Sequence, residues 1–241
     1  MFLNDDLLQN FIATFYGSGN YSGDYWFVGI EEGGGNDLDQ VTKRINTWKD
    51  LGGTELVDIF DFHIRISYPE YFTDPVKLQR TWMQQARIVL SSKGQSATKP
   101  AIKAYQRDIL GRKAEETCLL ELLPLPSPST TVWNYNRWSN LPFLKNRKVY
   151  REYCIPWRCE HIRFQISIHM PKIVVFFGLS YAQIWKEIAG QSVGFQAIGD
   201  YWVGNSEKTV YLIAKHPASN GITNAYFESI GSFLYSKEND Q

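Results

Sequence analysis

The 241-residue chain is predicted to form a three-layer α/β/α fold, in which helices cover both faces of a central, mostly parallel sheet of four to five strands. Two observations predict this fold. Short and nearly continuous apolar runs indicate strands that are buried on both faces. Segments with helical periodicity separate these runs, which is typical of a parallel sheet with crossover helices. Because no linker-like composition interrupts the chain, residues 1–241 are expected to form one domain.

Each element is predicted from its own pattern. Apolar, aromatic and β-branched runs predict strands over residues 25–30, 117–123, 172–177, 195–203 and 209–214. Apolar residues at helical spacing predict helices over residues 5–16, 37–50, 74–92, 100–110, 145–168, 179–189 and 224–236. Asp5 or Asp6 is expected to open the first helix, and Pro75 suits a first helical turn. Pro124 should end the second strand, and Pro156 should interrupt the long helix.

Composition narrows the class of protein. Hydrophobic residues make up 44% of the chain and charged residues 21%, as in ordinary globular proteins, which excludes a wholly disordered chain. Basic and acidic residues number 25 each, so a nonspecific polyanion-binding coat is disfavoured, while a local basic patch stays compatible. The aromatic content of 15% suits a heavy core or surfaces that stack on flat ligands.

The cysteine and histidine patterns give no sign of a metal site. The three cysteines are odd in number and too loosely spaced for a zinc ribbon, so a reduced, cytoplasmic setting is expected. No histidine has metal-ligand spacing with cysteines or acids, and no metal is predicted. The acidic N-terminus does not resemble a signal peptide, and the longest apolar run, Ile173–Phe177, is too short to cross a bilayer. We therefore expect no membrane association, and we expect a monomer.

Polar residues at three predicted strand ends are the candidates for chemistry. Glu31 follows the first strand within the run GIEEGGG, Glu121 interrupts the apolar run LLELL, and His216 follows the last strand in KHPASN. In an open α/β sheet, ligands bind beyond the carboxyl ends of the strands. If the strands are parallel neighbours, these three side chains share one rim of the sheet.

Glu31 is the first candidate for catalysis. Glycines beside a carboxylate allow a substrate to approach closely, and the carboxylate could then orient or deprotonate a water molecule. The alternative is a helix cap or a solvated loop acid. The glycine run is not GxGxxG and contains no Gly-Lys-Ser/Thr, so a phosphate-binding loop is disfavoured.

Glu121 and His216 each have a functional and a structural interpretation. An unpaired buried carboxylate costs several kcal/mol or shifts its pKa, so Glu121 needs a ligand, a salt-bridge partner or an outward-facing position. His216 could stabilise a developing anion or transfer a proton, or it could be a structural residue of the loop.

A basic stretch between residues 137 and 163 is interleaved with aromatic residues, as in nucleic-acid interfaces. The alternative is a solvated amphipathic helix. The residues predicted to bind the DNA backbone are Arg137, Lys145, Arg147 and Lys148, and the wider stretch also contains Arg158 and Arg163.

The order of these motifs resembles the uracil-DNA glycosylase superfamily. The matching segments are FVGIEEGGG, LLELLPLPSPS, VVFFGLSYAQIW and KHPASNG before a last helix, and the resemblance covers nearly the whole chain, from about residue 25 to 235. The resemblance implies that Glu31 positions the attacking water, that Glu121 reads the everted base, and that His216 stabilises charge on the departing base. This chain departs from the family in having Glu32 where proline is usual, and glutamate at both acid or amide positions.

The resemblance and these departures together predict a monofunctional DNA glycosylase that acts on duplex DNA, leaves an abasic site and needs no cofactor. An ionised glutamate only accepts hydrogen bonds, so Glu121 should prefer the N4 amine of a cytosine-like base to uracil. A bulky 5-substituent would spare unmodified cytosine, and glucosylated hydroxymethylcytosine of phage DNA would suit an antiviral role.

Further site residues follow from the same resemblance. Phe60 or Phe62 is expected to stack on the base. The loop residues expected to support the substrate are Gly29, Gly33, Gly34, Gly35, Pro217 and Ser219. The alternatives are a glycosylase that repairs uracil or damaged bases, an inactive DNA-binding module of the same fold, and an unrelated hydrolase of nucleosides or nucleotides.

Overall fold

An eight-stranded sheet forms the centre of the molecule. The computed structural model describes residues 2–129 and 131–239. The strands are β1 (Gly17–Gly19), β2 (Tyr25–Gly33), β3 (Leu56–Val57), β4 (Thr117–Ser127), β5 (Ile173–Phe177), β6 (Phe195–Ile198), β7 (Tyr201–Asn205) and β8 (Val210–Ala214). Their spatial order is β3-β1-β4-β2-β5-β8-β7-β6.

Helices cover both faces of this sheet. They are α1 (Asp5–Thr14), α2 (Leu38–Asp50), α3 (Ile59–Arg65), α4 (Arg80–Ser92), α5 (Lys99–Asp108), α6 (Tyr135–Trp138), α7 (Arg147–His169), α8 (Ala182–Ala189) and α9 (Asn224–Asn239). One hydrophobic core joins α1, α2, α7 and α8 to one face of the sheet. A second core joins α4, α5 and α9 to the other face. The predicted α/β class with a mostly parallel sheet between helices is confirmed.

The four central strands explain why the functional candidates can meet. β4, β2, β5 and β8 are neighbours in that order, and each adjacent pair is parallel. Their carboxyl ends therefore lie along one rim of the sheet. The sheet has eight strands rather than four to five because short strands extend it at both edges, where β1, β6 and β7 pair antiparallel. Strands of two or three residues, such as β3 and β1, are too short to leave a readable alternation.

The proline positions in β4 and α7 differ from the prediction. β4 does not end at Pro124 but continues through Pro126 to Ser127. The register between β2 and β4 shifts between Glu31 and Gly33, opposite these prolines, because proline cannot donate to the ladder. α7 likewise continues as one helix through Pro156, which does not interrupt it.

Two helix starts also differ from the prediction. The first helix is capped by the Asn4 side chain, which accepts from the backbone N–H of Leu7, rather than by Asp5 or Asp6. α4 begins at Arg80, after Gln79, whose side chain accepts from the Trp82 N–H. Pro75 therefore lies before the helix and outside its first turn.

Candidate active site

Glu31, Glu121 and His216 line one cavity of about 420 Å³ at the carboxyl ends of the central strands. This volume lies within the range of sites that enclose small molecules, roughly 300–1,000 Å³. A second, wider groove of about 870 Å³ shares Glu31, Gly33 and His216 with the cavity. The expectation that three separate segments meet at one rim of the sheet is confirmed by this arrangement.

Glu121 lies beside Gly29, its partner in the register between β4 and β2. A Cβ atom at Gly29 would lie only 2.9 Å from the Cδ atom of Glu121, so the absence of a side chain there makes room for the carboxyl group. Within the described residues, Oε2 of Glu121 is buried and has no hydrogen-bond partner. Burial raises the pKa of Glu121 well above its ordinary value, and the carboxylates of Glu32 and Glu31 raise it further.

Glu31 has a different environment because it forms an ion pair with Arg147. Nη1 of Arg147 lies 2.8 Å from Oε1 and 2.6 Å from Oε2 of Glu31, and both side chains are largely buried. Burial raises the pKa of Glu31, and the Arg147 guanidinium opposes that rise. The other terminal nitrogen, Nη2, donates to the hydroxyl of Ser127 and to the carbonyls of Ser129 and Val132.

Arg147 was predicted to bind the DNA backbone, and that prediction is wrong for its guanidinium. The ion pair with Glu31 and the bonds to the segment after β4 occupy both terminal nitrogens inside the protein. Arg158 of the same basic stretch is also internal. It is fully buried and donates to four backbone carbonyls, while its guanidinium lies 3.7 Å from the centre of the Tyr16 ring.

The other basic residues of this stretch remain at the surface. Arg137, Lys145 and Lys148 are exposed, and Lys148 makes an i,i+4 pair with Glu152. Arg151 places its guanidinium 5.2 Å from the centre of the Tyr181 ring, which lines the wider groove. These positions are compatible with contacts to a polyanion.

His216 has a defined tautomer. The backbone N–H of Ala218 donates to Nδ1 of His216 at 3.1 Å, so the neutral ring carries its proton on Nε2. Burial lowers the pKa of His216, and the nearby Arg80 guanidinium lowers it further. The ring is therefore neutral at pH 7, and Nε2–H is a donor that can serve a ligand in the cavity.

Phe60 and Phe62 do not line the cavity, so their predicted role in stacking is wrong. Phe62 is buried in the core against Phe15. The Phe60 ring packs edge-on against Phe72, and the Arg112 guanidinium lies 4.8 Å from the centre of the Phe60 ring. The aromatic residues that do line the cavity are Phe27, Tyr68, Tyr71, Trp82 and Phe177.

Four of the six predicted supporting residues line the cavity or the groove, whereas Gly35 and Pro217 line neither. Gly29, Gly33 and Gly34 line the cavity, and Ser219 lines the wider groove. Gly35 adopts a φ of +67°, and its N–H donates to the Gln40 side chain at 2.6 Å. Pro217 is buried. Ser219 is held by the Arg80 side chain, which donates to its carbonyl at 2.9 Å.

Sequence reasoning missed a second set of polar residues in the cavity. Arg44 of α2 forms a two-pronged ion pair with Glu32, with distances of 2.7 and 3.1 Å. His63 of α3 lies 4.0 Å from Glu32, and Gln85 of α4 also lines the wall. Arg44, His63 and Gln85 lie within helices, so no strand-end motif points to them. The excess of aromatic residues suits a heavy core or stacking surfaces, and it does not locate either of them.

No group of three or more histidine, cysteine or acidic side chains is arranged to hold a metal ion within residues 2–129 and 131–239. In the same two ranges, no helix is both long and apolar enough to cross a bilayer.

Comparison of the chain with protein-family models gives no match, and comparison with curated proteins gives none either. The resemblance to the uracil-DNA glycosylase superfamily therefore remains a prediction based on short motifs. The functional interpretation depends on the geometry of the cavity.

Proposed function

We propose that the protein is a monofunctional DNA glycosylase that hydrolyses the N-glycosidic bond of an everted, modified pyrimidine in DNA. The observation that carries this proposal is the convergence of Glu31, Glu121 and His216 on one cavity that adjoins a wider surface groove. An everted base fits such an arrangement, since base-modifying enzymes draw their target out of the duplex into an enclosed pocket.

Each of the three side chains has a role that its environment favours. Glu31 lines both the cavity and the groove, which is where the sugar of an everted nucleotide would lie. Its carboxylate, paired with Arg147, would stabilise positive charge on the sugar and align the attacking water. His216 would donate from Nε2 to the departing base.

The proposed reaction is a hydrolysis. The bond between C1′ of the sugar and the base nitrogen breaks, and its electron pair leaves with the base. The water oxygen bonds to C1′, and Glu31 takes the proton that the water loses. That proton then passes through solvent to the anionic base, which returns Glu31 to its starting state. Arg147 acts as a positioning residue because it holds both Glu31 and the segment after β4. The products are the free base and an abasic site, and no cofactor is needed.

The environment of Glu121 favours a protonated carboxyl group, which can form different hydrogen bonds with a base than an ionised one can. The expectation of a cytosine-like base assumed an ionised carboxylate, whereas burial beside Glu31 and Glu32 favours the protonated form. A carboxylic acid can accept from N4 and donate to N3 of cytosine, and it can equally accept from N3 and donate to O4 of uracil. The choice between these bases therefore depends on other parts of the wall.

Abasic-site formation on a panel of duplexes tests this proposal. The panel contains uracil, cytosine, 5-methylcytosine, 5-hydroxymethylcytosine and glucosylated 5-hydroxymethylcytosine, and alkali cleavage reports abasic sites. We expect cleavage of at least one modified pyrimidine and none of cytosine. Retention of DNA without cleavage on any member would favour the inactive binding module. Release of base from free nucleosides but not from DNA would favour a nucleoside hydrolase.

A further inference from the structure

The inner wall of the cavity carries polar atoms that the proposed reaction does not use. Gln85 is 6% exposed, and its Oε1 atom is buried without a hydrogen-bond partner among the described residues. Leaving a buried amide oxygen unpaired is unfavourable, because its hydration is lost and not replaced. Since Gln85 lines the cavity, a ligand that donates a hydrogen bond there would remove this cost.

His63 presents a second acceptor on the same wall. Its Nδ1 atom lies 2.9 Å from the carbonyl oxygen of Ile59, so Nδ1 carries the proton and donates. Burial lowers the pKa of His63 to about 4, and the neutral ring leaves Nε2 as an acceptor. The His63 ring contacts Trp82 edge-on at 4.9 Å, and Gln85 follows Trp82 by one turn of α4.

This wall is separate from the elements that hold the three proposed reaction groups. Glu121 and Glu31 project from strands of the sheet, whereas His63 and Gln85 project from α3 and α4. A base held by Glu121 thus leaves the space beside the helices for a substituent. The acceptors favour a substituent that donates hydrogen bonds, and an uncharged donor enters a buried space more readily than an ammonium group.

We propose that Nε2 of His63 and Oε1 of Gln85 form an acceptor pair that selects bases whose 5-substituent carries hydroxyl groups. This inference rests on the proposed function, because the base must enter the cavity for the pair to be reached. The aromatic faces of Trp82 and Tyr71, which line the same cavity, provide apolar contacts for the carbon atoms of such a substituent.

The test compares substituents that differ in their hydroxyl groups. Duplexes with 5-methylcytosine, 5-hydroxymethylcytosine and glucosylated 5-hydroxymethylcytosine are used to measure single-turnover excision and, by fluorescence anisotropy, binding. We expect the wild type to prefer a hydroxylated base over 5-methylcytosine. Gln85→Met and His63→Phe should each reduce this preference roughly tenfold, the size of one net hydrogen bond. If the larger loss occurs with 5-hydroxymethylcytosine, the pair binds the hydroxymethyl group. If it occurs with the glucosylated base, the pair binds the added sugar.

Gln84→Met is the matched control because Gln84 is the next residue of the same helix and has similar burial. Its amide is already paired, with Nε2 donating to Asn224 at 2.9 Å and Oε1 accepting from Arg87 at 3.1 Å. This variant should lose thermal stability without changing the substituent preference. An equal preference in the wild type, Gln85→Met and His63→Phe, in binding as well as excision, would overturn the inference.

The two proposals can fail separately. Binding that discriminates hydroxylated from methylated base without any excision would contradict the glycosylase and still support the acceptor pair. Excision of modified bases with a preference unaffected by either variant would support the glycosylase and contradict the acceptor pair.

Discussion

Burial raises the pKa of both carboxyl groups in the cavity, but only Glu31 forms an ion pair, and the cation of that pair opposes the rise. Glu31 is paired with the Arg147 guanidinium, whereas Oε2 of Glu121 is buried without a partner among the described residues. A pair of titratable groups whose environments drive their pKa values apart is a common basis for acid and base roles. Here the carboxyl group paired with Arg147 faces both cavity and groove, and the one without a hydrogen-bond partner for Oε2 among the described residues lies against Gly29.

The protonated state of Glu121 predicts a specific dependence of stability on pH. Because its native pKa lies above the ordinary value of 4.5, the unfolded chain releases this proton first as the pH rises. The wild type should therefore lose up to about 1.4 kcal/mol of unfolding free energy per pH unit between 4.5 and the native pKa. Glu121→Gln lacks this loss, so its stability relative to the wild type should rise from pH 5 to pH 8.

Urea denaturation at several pH values measures this difference. Glu207→Gln, at an exposed position, is the control and should follow the wild type throughout. A difference between Glu121→Gln and the wild type that stays constant across the range would mean that Glu121 is ionised in the native protein.

At the scale of elements, the N-terminus of α7 and the end of β4 are joined through one side chain. Arg147 is the first residue of α7 and binds Glu31 of β2 together with Ser127, the last residue of β4. The sequence predicts α7, β2 and β4, but its basic pattern led to the prediction that Arg147 binds the DNA backbone. A basic residue in a run of basic residues has the same pattern whether its partner is a phosphate or a distant carboxylate.

Arg147→Met should lower the free energy of unfolding by about 3 kcal/mol, because it leaves the largely buried Glu31 carboxylate without its cation. Adding Glu31→Gln to this variant should recover part of the loss, since no unpaired charge then remains. Lys148→Met, at the next and mostly exposed position, should change stability by less than about 0.5 kcal/mol. Equal losses in the Arg147 and Lys148 variants, measured by urea denaturation, would contradict the structural role of the ion pair.

At the scale of the whole molecule, the central sheet and the site at its rim were predictable from the sequence. The wall of the cavity formed by α3 and α4 was not. Strand ends give a local signal, since Glu31 and His216 each follow an apolar run and Glu121 interrupts one. In α3 and α4, by contrast, His63 and Gln85 occupy ordinary helical positions and give no such signal. Their approach to the sheet depends on long-range packing, which periodicity does not encode. Phe62 is the opposite case, because it was predicted to stack on the base and its side chain is instead buried in the core.

The central claim is that Glu31 performs chemistry on a nucleotide bound in this cavity. The most direct measurement is the single-turnover excision rate of Glu31→Gln beside its equilibrium binding to the same modified duplex. We predict a rate roughly 10²- to 10³-fold below that of the wild type, with binding within about twofold, since loss of one charge-stabilising group typically has this effect. An excision rate equal to that of the wild type would contradict the account.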